Sequence, residues 1–433
     1  MALSLDNINL LSLLLLFLIL PSTSQTYARP RSVVLPIIKD SKTLQYLAQL
    51  NQRTPLVPLK LTVDLGGQFL WVDCAGYVSS TYAPSHCNSF QCTLANSNNC
   101  IKECTYSSPM PGCYNNTCGL LPDNTVIGGV GSTGQLGQDV LSIPSAYTGL
   151  VYSVPKFLFI CAKGYLLDSL ASGVTGMAGL GRTNISLPSQ FSAYFRFDRK
   201  FAVCLSPSTV SNGAIVFGNG VPGGIDTSKS LLYTPLLINP VSTATSYFGN
   251  ESSSDYFIGV QSVKVNGKLI RFDSKLLSID NQDFGGTKIS TVYPYMVMAT
   301  SIYNAVLEAF ANEMPHIPRV KAVPPFGLCY NSSSINNTSH AGPDVPHIDL
   351  VFQRKSVYWR IYGANSMVKV SNDVMCLGIV NIGSKPRTSI VLGGHFIEDI
   401  LLQFDIPHAR LGFSNSLLLQ NKSCSDINAK SMS

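Results

Sequence analysis

Apolar residues in this chain fall into short runs separated by Gly, Pro, Asn and Ser. Runs at 31–39, 56–74, 132–143, 156–161, 201–205, 213–218, 231–237 and 256–265 predict strands. Asn266-Gly267 is a hairpin turn signal between two of the later runs. Residues 43–52 read as a polar connection, and 176–181 as a Gly-punctuated apolar turn. Helical spacing is confined to two places. Residues 187–195 carry Pro188 in the first turn, where it is tolerated. Residues 301–314 place Ile302, Val306, Ala309 and Phe310 on one face. Many short strands with few helices predict an all-β architecture of sandwich or barrel type.

The stretch 61–74 organises the rest. It reads as an apolar strand ending in Asp64, two glycines at Gly66 and Gly67, and a second apolar strand ending in Trp71-Val72. A carboxylate on a tight turn between buried strands is costly and therefore a functional candidate. The pattern returns at Thr287-Lys288-Ile289-Ser290-Thr291-Val292, with Ser in the Asp position. Each copy is followed about a hundred residues later by paired glycines, Gly179 with Gly181 and Gly393-Gly394. Two facing lobes of one plan would bring Asp64 and Ser290 together across a cleft.

At 433 residues the chain calls for two domains or two lobes, and 12% charged residues argue against disorder. Residues 10–20 form a largely apolar run, too short for a membrane span of about 20. With Pro21 and small residues after it, 1–24 reads as a cleaved secretory signal. No later segment is apolar for long enough to span a bilayer. The other boundaries expected are a first lobe over 25–218, a linker at 219–230 and a second lobe over 231–433.

Twelve cysteines fit an oxidising compartment. Cys74, Cys87, Cys92, Cys100, Cys104, Cys113 and Cys118 crowd a Ser/Asn-rich stretch at about 74–118, read as a disulfide-held insertion. The others are Cys161, Cys204, Cys329, Cys376 and Cys424. No paired CxxC spacing supports a metal site, and no cofactor is expected. Sequons begin at Asn115, Asn184, Asn250, Asn331, Asn336, Asn337 and Asn421, which together with a signal predict a secreted, extracellular glycoprotein. Losing 1–24 would remove Asp6 and no base, raising the net charge from +6 to +7. The bases are scattered without aromatic interleaving, so nucleic acid is not an expected partner.

The Asp64 turn with Phe69-Leu70-Trp71-Val72, the closing Ile390-Val391-Leu392-Gly393-Gly394 and the segment 401–413 together resemble the bilobal pepsin-type aspartic protease fold. Residues 63–74 and 286–292 closely resemble a plant branch of that fold. It comprises the extracellular dermal glycoproteins, the xyloglucan-endoglucanase and xylanase inhibitors and the seed basic globulins. The resemblance implies an all-β, bilobal pepsin-like double barrel with short helices and a disulfide-rich insertion in the first lobe. It implies a monomer that inhibits microbial glycoside hydrolases in plant defence. It also suggests the pairs Cys329–Cys376 and Cys204–Cys424.

Aspartic protease chemistry needs two carboxylates sharing one proton. Here the pattern is Asp64-Leu65-Gly66, in which Leu65 lacks the usual bracing hydroxyl, and Ser290 cannot replace the second carboxylate. The dyad positions are degenerate, so no peptidase activity is expected. Asp280 and Asp283 are remote candidates for the missing acid, and Ile127 aligns near the usual flap tyrosine. In the family the inhibitory side chains lie on two second-lobe loops. His340 stands in one, and Gln420, Asn421 and Lys422 in the other, where endoglucanase inhibitors present arginines. His and Lys can also pair with the carboxylates of a hydrolase cleft. The alternatives are an aspartic endopeptidase and a non-inhibitory storage or receptor-like protein.

Overall fold

The computed structural model describes residues 29–103, 111, 115–220, 231–245, 247, 251–337 and 339–429. The signal at 1–24, most of the 219–230 linker, Cys104, Cys113 and Asn250 fall outside them.

Two equivalent crossings carry the plan. In the first half the strand Val57–Asp64 pairs in parallel with Gly176–Gly179, which pairs antiparallel with Leu70–Asp73, which in turn runs parallel to Val151–Ala162. In the second half Thr287–Ile289 pairs in parallel with Ile390–Leu392, which pairs antiparallel with Met296–Met298, which runs parallel to Ile379–Asn381. A six-stranded antiparallel sheet joins the halves. Its order is Leu232–Leu237, Arg410–Phe413, Leu401–Asp405, Lys200–Cys204, Gly213–Gly218, Ser32–Lys39. Three of these strands come from each half, and Lys200–Cys204 meets Leu401–Asp405 at the centre. The chain is therefore a mostly-β, bilobal pepsin-like fold.

Residues 43–52 are a correction. Instead of a polar connection they contain the strand Tyr46–Gln52, whose Tyr46, Ala48 and Leu50 are buried. The intervening Gln and Asn residues disguise an alternating pattern. Gln45 just before the strand is buried too, and its amide is satisfied by Thr62 Oγ1 at 3.1 Å, Ala171 N at 3.0 Å and Ser169 O at 2.8 Å. Residues 176–181 are a second correction. They hold the central strand Gly176–Gly179, where glycine is a packing requirement. A Cβ on Gly179 would collide with the Phe69 carbonyl just before the neighbouring strand. The helices occupy Leu187–Phe195 and Thr300–Asn312, the second burying Ile302, Tyr303, Val306, Phe310 and Ala311. Asn266 and Gly267 both take positive φ in the turn between Val260–Val265 and Lys268–Leu269.

The structure pairs Cys74–Cys161, Cys87–Cys100, Cys92–Cys118, Cys204–Cys424 and Cys329–Cys376. The insertion contributes a short helix, Phe90–Leu94, and the strands Asn99–Ile101 and Thr117–Leu120.

A buried ionic cluster spans both halves. Glu398 Oε1 accepts from Lys39 Nζ and from the Tyr46 hydroxyl, both at 2.6 Å, and Oε2 lies 3.0 Å from His395 Nδ1. His395 Nε2 lies 3.0 Å from the Met367 carbonyl. Burial alone would raise the Glu398 pKa, but the hydrogen bonds and charges of His395 and Lys39 outweigh it and hold the carboxyl below its ordinary value. Replacing Glu398 by Ala strands Lys39 and His395 without their partner. The expected loss is about 3–5 kcal/mol, measured as a fall in the urea unfolding free energy. A loss below about 1 kcal/mol would mean that solvent already screens the cluster.

Candidate functional site

Asp64 ends its strand at the point where the two lobes meet. The side chain is 4% exposed. Its Oδ1 accepts from Gly66 N at 2.9 Å, and Oδ2 from Thr125 Oγ1 at 2.7 Å. Ser290 adopts the matching local turn, with Oγ accepting from Val292 N at 3.3 Å, two residues on. Thr291 Oγ1 reaches across the lobes, donating to Val63 O at 2.7 Å and accepting from Leu65 N at 3.0 Å. On the first-lobe side the equivalent position is the fully buried Leu65, which has no hydroxyl to return the bond. Asp64 and Ser290 line one cavity of about 110 Å³. The cleft expected between the lobes is therefore present, but small.

Residues that the sequence did not single out fill it. Asp255 packs directly on Gly66, where any Cβ would collide with its carboxylate. Its Oδ2 accepts from Lys288 Nζ at 2.7 Å and Thr243 Oγ1 at 2.5 Å. Asp123 also lines the cavity. Asp280 and Asp283, the acids considered from sequence, do not. Asp280 Oδ1 instead accepts from Gln282 N at 2.8 Å and Phe284 N at 3.0 Å in its own tight loop. Lys288 precedes Ser290 by two residues, so strand alternation could have placed both on one face.

The flap is residues 122–132, closed by the Asp123–Gly131 bridge and a 3.0 Å bond from Asn124 N to Val130 O. Its contact with the turn is Thr125, through the bond to Asp64, whereas Ile127 is exposed. A second pair of bonds latches it to the other lobe. Gly129 N donates to Thr245 Oγ1 at 3.1 Å, and Thr245 N donates to Asp123 Oδ2 at 3.1 Å.

Burial pushes the Asp64 carboxyl up to about 6 against the opposing bond from Thr125, with the charge of Asp255 adding to the rise. Burial and the charge of Asp64 push Asp123 up to about 7. Burial disfavours the charge on Lys288, yet Asp255 at 2.7 Å prevails and holds its pKa above the ordinary value. Lys288 is thus a cation at neutral pH, unsuited to act as a base toward Ser290. Its ammonium sits among the carboxylates as an internal counter-charge. Among the described residues no group of three or more His, Cys, Asp or Glu is placed to hold a metal ion.

The loop candidates lie elsewhere. His340 is exposed at the tip of a turn in which Gly342 N donates to Ser339 O at 3.2 Å. Ala364 N fixes that turn through Ala341 O at 2.8 Å. Gln420 and Asn421 are exposed, Lys422 is half-buried, and Asn421 takes φ +53° to end the turn Leu417–Gln420. The Cys204–Cys424 bond and a 2.8 Å bond from Cys424 N to Asp399 Oδ1 anchor this tail. The two loops share a support, because Asn365 Nδ2, next to Ala364, donates to Glu398 O at 2.8 Å, one residue before Asp399. Asn115, Asn184, Asn336, Asn337 and Asn421 are exposed, and Asn331 is half-buried.

Residues 46–219 match the family described as xylanase inhibitor N-terminal, and 255–415 the one described as xylanase inhibitor C-terminal. The chain is 55% identical over 417 residues to "Probable aspartic proteinase GIP2" of Nicotiana benthamiana, an alignment covering 94% of each. It is 42% identical over 416 residues to "Gamma conglutin 1" of Prunus dulcis, covering 94% of this chain and 92% of that one. The crystal structure of edgp superposes with a TM-score of 0.89 at 51% identity, over 92% of this chain and 98% of that one. The aspartic proteinase from Irpex lacteus superposes at 0.58 with 16% identity, over 90% and 99%, a likeness of fold alone.

The raised Asp64 pKa sets the sign of a pH dependence. The folded state holds the proton up to about pH 6 and the unfolded chain only to about 3.8, so the contribution of Asp64 to stability is fully present below 3.8 and is lost as pH rises through 6. A rise of that size corresponds to about 3 kcal/mol. Asp64→Asn should lack that decline. Its urea unfolding free energy, minus that of the parent, should rise between pH 4 and pH 7 by up to about this amount. A flat difference would show that the Asp64 carboxyl titrates normally.

Proposed function

Because the chain belongs to the xylanase inhibitor family, we propose that it is a secreted plant glycoprotein without peptidase activity that binds and inhibits a microbial cell-wall glycoside hydrolase, a xyloglucan-specific endo-β-1,4-glucanase or a xylanase. One observation carries the non-peptidase reading. Ser290 stands where a second carboxylate is required, in a cavity of about 110 Å³ already occupied by the Lys288–Asp255 pair and the latched flap. Asp64 faces no carboxylate on the opposite turn with which to share a proton, and the cavity leaves little room for water and a peptide. Lys288 favours ionised carboxylates around it, but it cannot relay a proton while its own is held.

Binding then falls to the surface. A retaining glycoside hydrolase presents two carboxylates about 5 Å apart in a concave cleft. His340 and Lys422 are hydrogen-bond donors on loops held by a common support, and the net charge of +6 favours encounter with such a cleft. The disulfide to Cys424 reduces the ordering cost of presenting Lys422. Glycans on Asn336, Asn337 or Asn421 would compete for this face, so inhibition requires the tips of the loops to be left clear.

The test is capture of secreted microbial glycoside hydrolases on the purified protein, followed by residual-activity assays with His340→Ala and Lys422→Ala. Captured hydrolases should lose activity. Each substitution should weaken inhibition by about tenfold or more, the worth of one charge-assisted hydrogen bond. A captured hydrolase that keeps full activity overturns the inhibitor reading. Peptide cleavage at acid pH that disappears in Asp64→Ala overturns the non-peptidase reading.

A further inference from the structure

A second cavity, of about 590 Å³, lies on the first lobe, away from the Asp64 turn. That volume is in the range of small-ligand sites, about 300–1,000 Å³. Its two walls come from different parts of the chain. Phe90 belongs to the short helix Phe90–Leu94 of the cysteine-rich insertion, and Tyr194 to the helix Leu187–Phe195 of the lobe body. Phe90 is 76% exposed and Tyr194 43% exposed. The Tyr194 ring is held in place by a 3.1 Å bond from its hydroxyl to Ser153 O. Gln91, Gln138 and Arg199 also line the groove, with the Arg199 guanidinium donating to Arg182 O and Thr183 O. Aromatic rings and amide side chains lining one groove suit a pyranose, whose C–H faces stack and whose hydroxyl and acetamido groups hydrogen-bond.

Asn184, exposed and within the sequon Asn184-Ile185-Ser186, lies on the rim of this groove. A sugar attached there needs no affinity of its own to reach the rings. Tethering supplies a local concentration of about millimolar, so weak stacking suffices. We propose that the groove is occupied by the first sugars of a glycan on Asn184, which thereby clamps the cysteine-rich insertion to the body of the first lobe. The proposal rests on the reading of the chain as a secreted glycoprotein.

The experiment uses the full chain secreted from a host that makes oligomannose glycans. Site-resolved glycopeptide mass spectrometry gives the occupancy of every sequon. Native endoglycosidase digestion then gives the release rate at Asn184. The comparison is with a Phe90→Ala, Tyr194→Ala variant, whose substitutions fall on exposed side chains, create no new sequon and should leave the fold intact. Asn184 should be occupied, and its glycan released about tenfold more slowly from the parent than from the variant, the equivalent of one modest stacking contact. Equal release rates overturn the proposal. An empty Asn184 beside filled sequons elsewhere overturns it and leaves the glycoprotein reading standing, whether or not free oligosaccharide binds the groove. If every sequon is empty, the glycoprotein reading fails and this proposal with it.

Discussion

One hydroxyl, Thr291 Oγ1, sets the relation between the two halves of this molecule. It donates to Val63 O at 2.7 Å and accepts from Leu65 N at 3.0 Å, fastening the second-lobe turn to the first at the crossing of the buried strands. Both backbone groups lie where water cannot reach them, so losing the hydroxyl would leave a donor and an acceptor unpaired, at about 1–3 kcal/mol each. The return bond is missing because Leu65 occupies the equivalent position and contributes packing instead. The junction has kept the bond that holds the lobes and lost the one that would brace a second acid.

The cleft is thereby converted to internal structure. With Ser290 in place of a carboxylate, the negative charge that remains belongs to Asp64, Asp123 and Asp255, and Lys288 lies within hydrogen-bond distance of Asp255. The raised pKa values of Asp64 and Asp123 arise from burial and mutual repulsion, and Lys288 balances only part of that charge. The flap is bonded to this arrangement through Thr125 and to the second lobe through Thr245, so it joins the lobes. The Glu398 cluster repeats the device farther along, drawing Lys39 and Tyr46 from the first strands to a carboxylate near the end of the chain.

The Asp64 turn and its Ser290 echo are legible in the sequence because each is a local signal: an apolar strand ending in a polar tip residue, followed in the first copy by paired glycines. The same locality explains what escapes it. The strand Gly176–Gly179 looks like a turn because its closing glycine answers to Phe69, more than a hundred residues earlier. The strand Tyr46–Gln52 is masked by its own Gln and Asn residues and by Gln45 just before it, whose burial is justified only by partners such as Thr62 and Ala171. Asp255 reaches the cavity through a fold-level crossing against Gly66 that no window of the sequence contains. Lys288 was within reach, since it shares a strand face with Ser290. Ile127 lies in the flap where the resemblance puts it, but the bond to Asp64 comes from Thr125, two residues away.

A protein that acts through its second-lobe loops leaves the cleft between its lobes undisturbed when it binds. Hydrogen exchange of the protein alone and in complex with a captured glycoside hydrolase distinguishes the two surfaces. Action through the loops predicts new protection in the backbone around His340 and in the segment from Leu417 to Ser423, with exchange unchanged at the Asp64 and Ser290 turns and in the flap. Protection concentrated at the flap and the Asp64 turn, with both loops exchanging as freely as before, would contradict it.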